Sequence, residues 1–296
     1  MTQLTDNKPL ISIVMSFYNA ESTLLHAIKS VFMQTYDNWE LVLLNDGSTD
    51  NSLSLACSVI DKRVRVVSDG LNKGLALRKN ELSTLALGDF IAFLDADDLI
   101  HPTKLEKQLA VFLENPSIDV VSSGLASMDA NFRLIGVRSL EPLDINAMTV
   151  LKTGSIVHAT IMARRIWFLK NPYREGYHRA EDRELFLRVL PHTKFEKICE
   201  PLYFYMESGV QSANKLLSSY KTERKTILEY APSYVGITKT MYLWSRSLIK
   251  SLVVMGLSSV GQLNLLASRR IGTEQSATIE SLQTDIHRIL AFSLAS

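Results

Sequence analysis

Along the first hundred residues, apolar runs and mixed stretches take turns. Leu10–Met15, Trp39–Leu44, Val64–Val67 and Phe90–Leu94 are short and apolar, the pattern of strands buried on both faces. Between them, Glu21–Gln34, Thr49–Ile60 and Gly74–Leu87 carry apolar residues at helical spacing. Strand–helix–strand alternation of this kind predicts a mostly parallel, Rossmann-like α/β sheet flanked by helices. In such sheets ligands gather at the carboxyl ends of the strands. The polar clusters fall there: Ser16-Phe17-Tyr18-Asn19 after the first strand, Asn45-Asp46-Gly47-Ser48 after the second, Asp95 to Asp98 after the fourth.

Beyond residue 100 the pattern changes. A helix is expected over His101–Asn115, opened near Pro102 and closed at Asn115-Pro116. Residues 118–138 suggest two strands turning near Asp129-Ala130-Asn131, and Asp144–Lys152 a helix. Ile156–Ala163 reads as a strand, Ala180–Leu190 as a helix, and Lys194–Met206 as one or two strands. Past about Lys215 the chain reads as helical to its end.

Composition narrows the function classes. The 296 residues are 46% apolar and 21% charged, with a net charge of +1, so the basic footprint of a nucleic-acid binder is missing. Residues 1–200 hold 22 Lys and Arg against 25 Asp and Glu, a balance of −3; residues 201–296 hold 10 against 6, a balance of +4. A basic tail on an acidic body hints at an anionic surface as partner. Cys57 and Cys199 form no Cys-x-x-Cys pair and are expected as buried, reduced thiols. Met1–Pro9 shows no apolar leader, which points to the cytoplasm.

The densest chemistry is Asp95-Ala96-Asp97-Asp98. Three carboxylates within four positions repel one another, and a divalent cation with a preference for hard oxygen ligands, Mg²⁺ or Mn²⁺, removes that cost. The structural alternative is that Asp97-Asp98 caps the helix starting near His101. Asp46 stands at a strand end, free to accept from a ligand, while Ser48 or Thr49 could cap the next helix.

In order and spacing, Ile13-Val14-Met15-Ser16-Phe17-Tyr18-Asn19, Ser30–Tyr36, Asn45-Asp46-Gly47-Ser48-Thr49-Asp50, Asn72-Lys73-Gly74, Arg78-Lys79-Asn80, Gly88–Asp98 and Pro102 resemble the family 2 glycosyltransferases. The likeness is dense over residues 10–110 and thinner to about 212. It implies the GT-A fold, with residues 1–215 as the transferase domain and 216–296 as a helical extension. Within that domain, 1–110 would bind a nucleotide-sugar and 111–215 the acceptor. The implied activity is inverting transfer of a sugar, most often from UDP, to a hydroxyl, here in bacterial surface polysaccharide synthesis.

By the same resemblance Ser16, Tyr18, Asp46 and Arg78 would hold base and ribose, and Glu21 fits the motif, though it equally suits a helix N-terminus. Asp95 matches the ribose and metal-water position and Asp97 the direct metal ligand, with Asp98 beside it. Ala180-Glu181-Asp182-Arg183 resembles the family's Glu-Asp segment, which makes Asp182 the expected base and Glu181 an acceptor contact. Two acids in a first helical turn also suit the macrodipole. His158 falls on the expected acceptor strand, and Tyr173–His178 reads as a loop over the cleft. Where many relatives place a metal-facing His, this chain has Met206, which leaves the second protein ligand open.

Between Lys250 and Arg269 lie 18 uncharged residues, too polar in places for a good membrane span. Residues 239–270 therefore read either as a helical pair on the core or in a homodimer, or as a basic amphipathic face on the inner membrane, near a lipid-linked glycan acceptor. Two other classes share parts of this pattern. A sugar-phosphate nucleotidyltransferase wants a Gly-rich basic loop after the first strand, which Ser16-Phe17-Tyr18-Asn19 is not. A non-catalytic nucleotide-sugar binding protein would not need Asp95, Asp97, Asp98 and Asp182 together.

Overall fold

The computed structural model describes residues 8–153, 156–177, 179–207, 212–266 and 276–294. The four apolar runs become its parallel strands, β1 (Ile11–Phe17), β2 (Trp39–Asn45), β3 (Val64–Ser68) and β4 (Phe90–Phe93). They lie side by side in the order β3-β2-β1-β4. Alternate residues then supply two cores. Ile13, Met15, Phe17, Leu41 and Leu43 face one side, Val14, Val42, Leu44, Ile91 and Phe93 the other. Helices α1 (Leu24–Phe32), α2 (Ser52–Cys57) and α3 (Leu75–Leu85) connect the strands. Both faces being covered is what permits continuous apolar runs.

The sheet continues through Met162–Arg164, Val120–Met128, Phe195–Met206 and Leu99–Ile100, so the two halves share it. The added strands are β5 (Leu99–Ile100), β6 (Val120–Met128), β7 (Leu134–Arg138, paired with β6), β8 (Met162–Arg164) and β9 (Phe195–Met206). The expected helices become α4 (Lys104–Glu114), α5 (Ala147–Thr153) and α7 (Glu181–Val189). The carboxyl-terminal region forms α8 (Ala213–Val235), α9 (Ile237–Ser259) and α10 (Ser276–Ala291).

Several expectations need correction. Ile156–Ala163 is not one strand: His158–Thr160 makes a 3-10 turn before the short β8. The Thr160 hydroxyl donates to Val157 O (2.8 Å), giving that backbone a local alternative to a ladder. A short helix, α6 (Arg165–Lys170), and the two-residue β5 went unpredicted, being too short to show a period. Helix α2 begins only at Ser52, and its first amide bonds to Asp50 Oδ1 (3.0 Å), so neither Ser48 nor Thr49 caps it. Both cysteines are exposed, not buried, Cys57 ending the short α2 and Cys199 lying in β9.

Helices α8 and α9 pack against one another across the turn at Gly236 (φ 79°). Ile227, Ala231 and Leu243 from them join the core layer of α3 and α7, so the pair spans 213–259 rather than lying within 239–270. On the other side of the sheet, Leu282, Ile286 and Ile289 of α10 pack on Leu99, Met128 and Phe204. Among the described residues no helix is long and apolar enough to cross a membrane. Arg269 and Arg270 lie outside the described residues.

Candidate active site

Register sets the site. β1 pairs with β2 out to Phe17↔Asn45, and with β4 only to Val14↔Phe93, after which Leu94 N still donates to Val14 O (3.1 Å). The loops after three strands therefore emerge side by side. A cavity of about 530 Å³ opens there, lined by Ser16, Tyr18, Asp46, Asp95, Asp97 and Met206 among others. Tyr18 is half exposed, its ring open to the cavity.

The loops brace each other. Asn19, in the left-handed region (φ 49°), accepts from Thr49 N at Oδ1 (2.8 Å), and Asn19 N donates to Ser48 Oγ (3.1 Å). Glu21 accepts from Asn51 N (3.0 Å) and Nδ2 (3.1 Å), so its carboxylate ties the same two loops together. Gly47 sits at φ 74°, and a Cβ there would come within 2.9 Å of Asn72 N, so only glycine lets the loops close. Asp46 Oδ1 accepts from Lys73 N (2.7 Å), and Oδ2 from Gly74 N (3.2 Å), which holds the start of α3.

Arg78, expected against the nucleotide, is fully buried, with its guanidinium turned to carboxylates. Its Nε donates to Asp46 Oδ1 (2.8 Å), Nη2 to Asp69 Oδ1 (2.6 Å), Nη1 to Glu81 Oε2 (2.6 Å), and it also bonds Leu71 O. Three carboxylates, Asp69 first, keep the Arg78 pKa raised. In turn Arg78, and after it Lys73, holds the Asp69 carboxyl far below the usual carboxylate range. The neighbouring Lys79 meets the start of α7 instead. It is buried, and its Nζ donates to Glu181 Oε1 (3.2 Å) and lies 5.2 Å from the Tyr173 ring. No role was read for Lys79 from sequence. Its signal was its place inside Arg78-Lys79-Asn80, next to Arg78 in the buried part of α3.

The acidic loop divides its labour. Asp98 is 1% exposed, and its oxygens accept from the Tyr203 hydroxyl (2.8 Å) and Met206 N (2.6 Å). It thus fastens the loop to β9 and does not face the cavity. The capping alternative also fails, because α4 begins at Lys104 behind Thr103. Asp95 and Asp97 do face the cavity. Desolvation raises both carboxyls above their ordinary value, with Lys79 opposing the rise at Asp95.

On the other side of α3, Asp182 and Glu181 open α7, whose Ala180 cap offers no side-chain bond, so the acids sit on the positive end of the helix. Glu184 in the same turn is fully buried and satisfied by Arg188 (2.8 Å) and Tyr230 (2.6 Å). Asp182 accepts from Arg183 N (2.7 Å), and it lines two further cavities, of about 500 and 520 Å³. Its carboxyl is raised by desolvation and then by Glu181, with Lys79 pulling it down. Leu75 lines both the first cavity and the second, and Arg179 and Asp182 both the second and the third. The three make one cleft.

His158 lines the third cavity at 8% exposure. Its Nε2 is hydrogen-bonded to the Tyr173 hydroxyl, its ring packs near Phe93 and Phe186, and burial lowers its pKa well below the ordinary value. Tyr173 itself is buried rather than lying over the cleft, pinned by Asn80 Oδ1 at its N–H (2.8 Å). Tyr177 is buried too, bonded to Glu229 of α8. His178 lies outside the described residues.

A divalent cation fits Asp95 and Asp97 as hard ligands, and among the described residues no protein cation is bonded to either. Among the described residues no third His, Cys, Asp or Glu joins them as a metal cluster. A magnesium-type site of one or two carboxylates completed by phosphate oxygens and water matches that arrangement.

Comparison with known proteins identifies the family and the fold. The model of glycosyl transferase family 2 matches residues 12–186. An uncharacterized glycosyltransferase of Haemophilus influenzae is 48% identical over 244 residues, covering 80% of this chain and 94% of that one. A glucosyltransferase of Escherichia coli, WfgD, named for UDP-Glc as donor and α-D-GlcNAc-diphosphoundecaprenol as acceptor, is 34% identical over 194 residues, or 64% and 73% of the two chains. The putative glycosyltransferase EpsE of Bacillus subtilis is 36% identical over 191 residues, 61% of this chain and 66% of its own. The crystal structure of S. aureus TarS with UDP-GlcNAc superposes with a TM-score of 0.61 at 19% identity, covering 80% of this chain and 71% of that one, which places the GT-A-like fold. The chain belongs to the family 2 glycosyltransferases.

Proposed function

We propose that this protein moves a sugar from a UDP-sugar, with inversion, onto a hydroxyl of a glycan carried on a lipid diphosphate. The observation that carries the reading is the single cleft with Tyr18, Asp46, Asp95 and Asp97 at one end and Asp182 farther along. The donor named for WfgD is UDP-Glc, its acceptor is lipid-linked, and TarS binds UDP-GlcNAc.

Ser16, Tyr18 and Asp46 would receive the nucleoside, Tyr18 offering an open aromatic face and Asp46 an acceptor oxygen. Asp97, with Asp95 beside it, would hold Mn²⁺ or Mg²⁺, which supplies Lewis-acid neutralisation of the leaving diphosphate. Asp182 takes the proton from the acceptor hydroxyl as its oxygen bonds to the anomeric carbon. The bond from that carbon to the diphosphate breaks, and UDP leaves with the electron pair. Burial and Glu181 make Asp182 a stronger base than an ordinary carboxylate. Glu181, held by Lys79, orients the acceptor beside it, and His158, fixed from behind by the Tyr173 hydroxyl, walls the acceptor end. Asp98, Arg78 and Glu21 position the loops without touching substrate.

The test is a thermal-shift series of UDP and UDP-sugars with and without Mn²⁺, followed by transfer of radiolabelled sugar to lipid-linked glycans. A donor that adds stability only with metal, and label recovered in the lipid phase, are the expected results. No stabilisation by any UDP-sugar, or loss of the metal effect failing to follow Asp97→Ala, overturns the reading.

A further inference from the structure

Helix α9 buries one face on α8 through Thr240, Leu243, Ser247, Ser251 and Val254. The seam is polar: Ser247 Oγ donates to Glu223 Oε2 (2.8 Å), and Arg224 Nη1 to Ser251 Oγ (2.7 Å). The opposite face should then be polar, as on any helix that meets only water. It is not. Tyr242, Ile249 and Val253 are 58%, 59% and 46% exposed, with Met241 and Leu252 alongside.

That face borders a mainly apolar groove of about 460 Å³ lined by Tyr242, Ile249, Val253, Arg246, Lys250 and Tyr220. Tyr220 and Lys250 also line the cavity that holds Asp182 and His158, so the groove opens from the catalytic cleft. The junction is basic. Glu223 Oε1 accepts from Arg183 Nη1 (2.9 Å) and Lys250 Nζ (3.1 Å), one carboxylate against two cations. Arg246, half-buried in the groove, has no carboxylate partner among the described residues.

We infer that this groove is the seat of the acceptor's lipid diphosphate, with the phosphates at Lys250 and Arg246 and the hydrocarbon chain along Tyr242, Ile249 and Val253. The inference rests on the lipid-linked acceptor proposed above. The order of chemistry along the surface matches the order in such a molecule: a base for the sugar hydroxyl, cations for the diphosphate, then an apolar track. A second copy of the chain would explain the exposed apolar residues but not their continuity with Asp182 or the cations at the junction.

The test uses the full chain saturated with UDP, so that the donor end is filled, and farnesyl diphosphate as probe, with inorganic pyrophosphate and farnesol as controls. Farnesyl diphosphate should bind about tenfold more tightly than either control. Ile249→Glu, at an exposed position that leaves folding intact, should weaken the probe about tenfold, and Lys250→Gln with Arg246→Gln should do the same, while UDP affinity stays unchanged. Probe binding that is equal in wild type and Ile249→Glu overturns the inference, as does an α9-mediated dimer that Ile249→Glu dissociates without changing probe affinity. In transfer assays the two readings separate. Label passing to a lipid-linked acceptor with a KM unmoved by Ile249→Glu overturns the groove alone, whereas transfer only to water-soluble acceptors overturns the lipid-acceptor reading itself.

Discussion

The two ends of the cleft are built by opposite means. At the proposed donor end, backbone amides and short side chains fix the loops: Asn19 to Thr49, Glu21 to Asn51, Asp46 to Lys73 and Gly74. At the acceptor end, long side chains from α7, α8 and α9 meet across wide sequence distances, as Arg183, Glu223 and Lys250 do. A backbone-braced end suits a ligand part shared by many donors. An end made of side chains can be altered residue by residue, which is where acceptor choice should lie.

The largest expected effect separates the ends by function. Asp182→Asn should cut transfer by about 10²–10⁴-fold, the usual span for a lost general base, and leave UDP affinity and its metal dependence in place. Initial rates and calorimetric UDP titration read the two quantities on one preparation. Equal loss of both would erase the distinction between donor end and acceptor end.

Next comes a contrast between two buried cations. Arg78 beneath the donor end meets three carboxylates, while Lys104 beneath β6 has the neutral Gln108 amide at 2.6 Å. Arg78→Leu strands Asp46 inside a network built for a cation and should cost about 3–5 kcal/mol in urea unfolding. Lys104→Met should behave in the opposite sense. Burial pushes the Lys104 ammonium down to about 7 in the folded chain, from the ordinary 10.5 it regains on unfolding. Between those values the unfolded chain holds the extra proton, so wild-type stability climbs with pH, by roughly 1 kcal/mol from pH 7 to 8. The burial penalty is complete below pH 7 and fades as pH rises toward 10.5. Lys104→Met should remove that slope and stabilise the protein at pH 7, and unfolding curves at pH 7, 8 and 9 decide it.

The same contrast explains what the sequence disclosed. The donor end was legible because its groups follow strand ends within a few residues: Ser16 and Tyr18 after β1, Asp46 after β2, Asp95 and Asp97 after β4. Strand register then aligns them without further information. Arg78 and Lys79 were not separable, since both are basic and both lie on the buried side of α3. Which one meets Asp46 and Asp69, and which one meets Glu181 some hundred positions later, depends on the folded path. Asp98 looked like Asp97 for the same reason, until β9 brought Tyr203 and Met206 to it. The groove beside α9 draws on Tyr220 from one helix and Tyr242 to Val254 from the next, and neither stretch carries a motif.

Lys79 offers the finest test, because it stands where the two ends meet. Its charge acts downward on the carboxyls of both Asp95 and Asp182 while its Nζ bonds Glu181. Lys79→Gln keeps a hydrogen-bond donor and removes the charge. Asp182 must be ionised to accept a proton, so the rate falls as pH drops through its raised pKa. Without Lys79 that pKa moves up again, and the acid limb of kcat/KM should shift to higher pH. Lys79→Arg should restore the limb if charge is the cause. A merely structural role would instead lower kcat/KM at every pH without moving the limb, and would show as a loss of thermal stability in Lys79→Gln. Because the donor end is braced by its own loops, UDP affinity at high pH should change little. A large loss of UDP affinity there would mean that the braces do not make the donor end independent, and that one cation holds both.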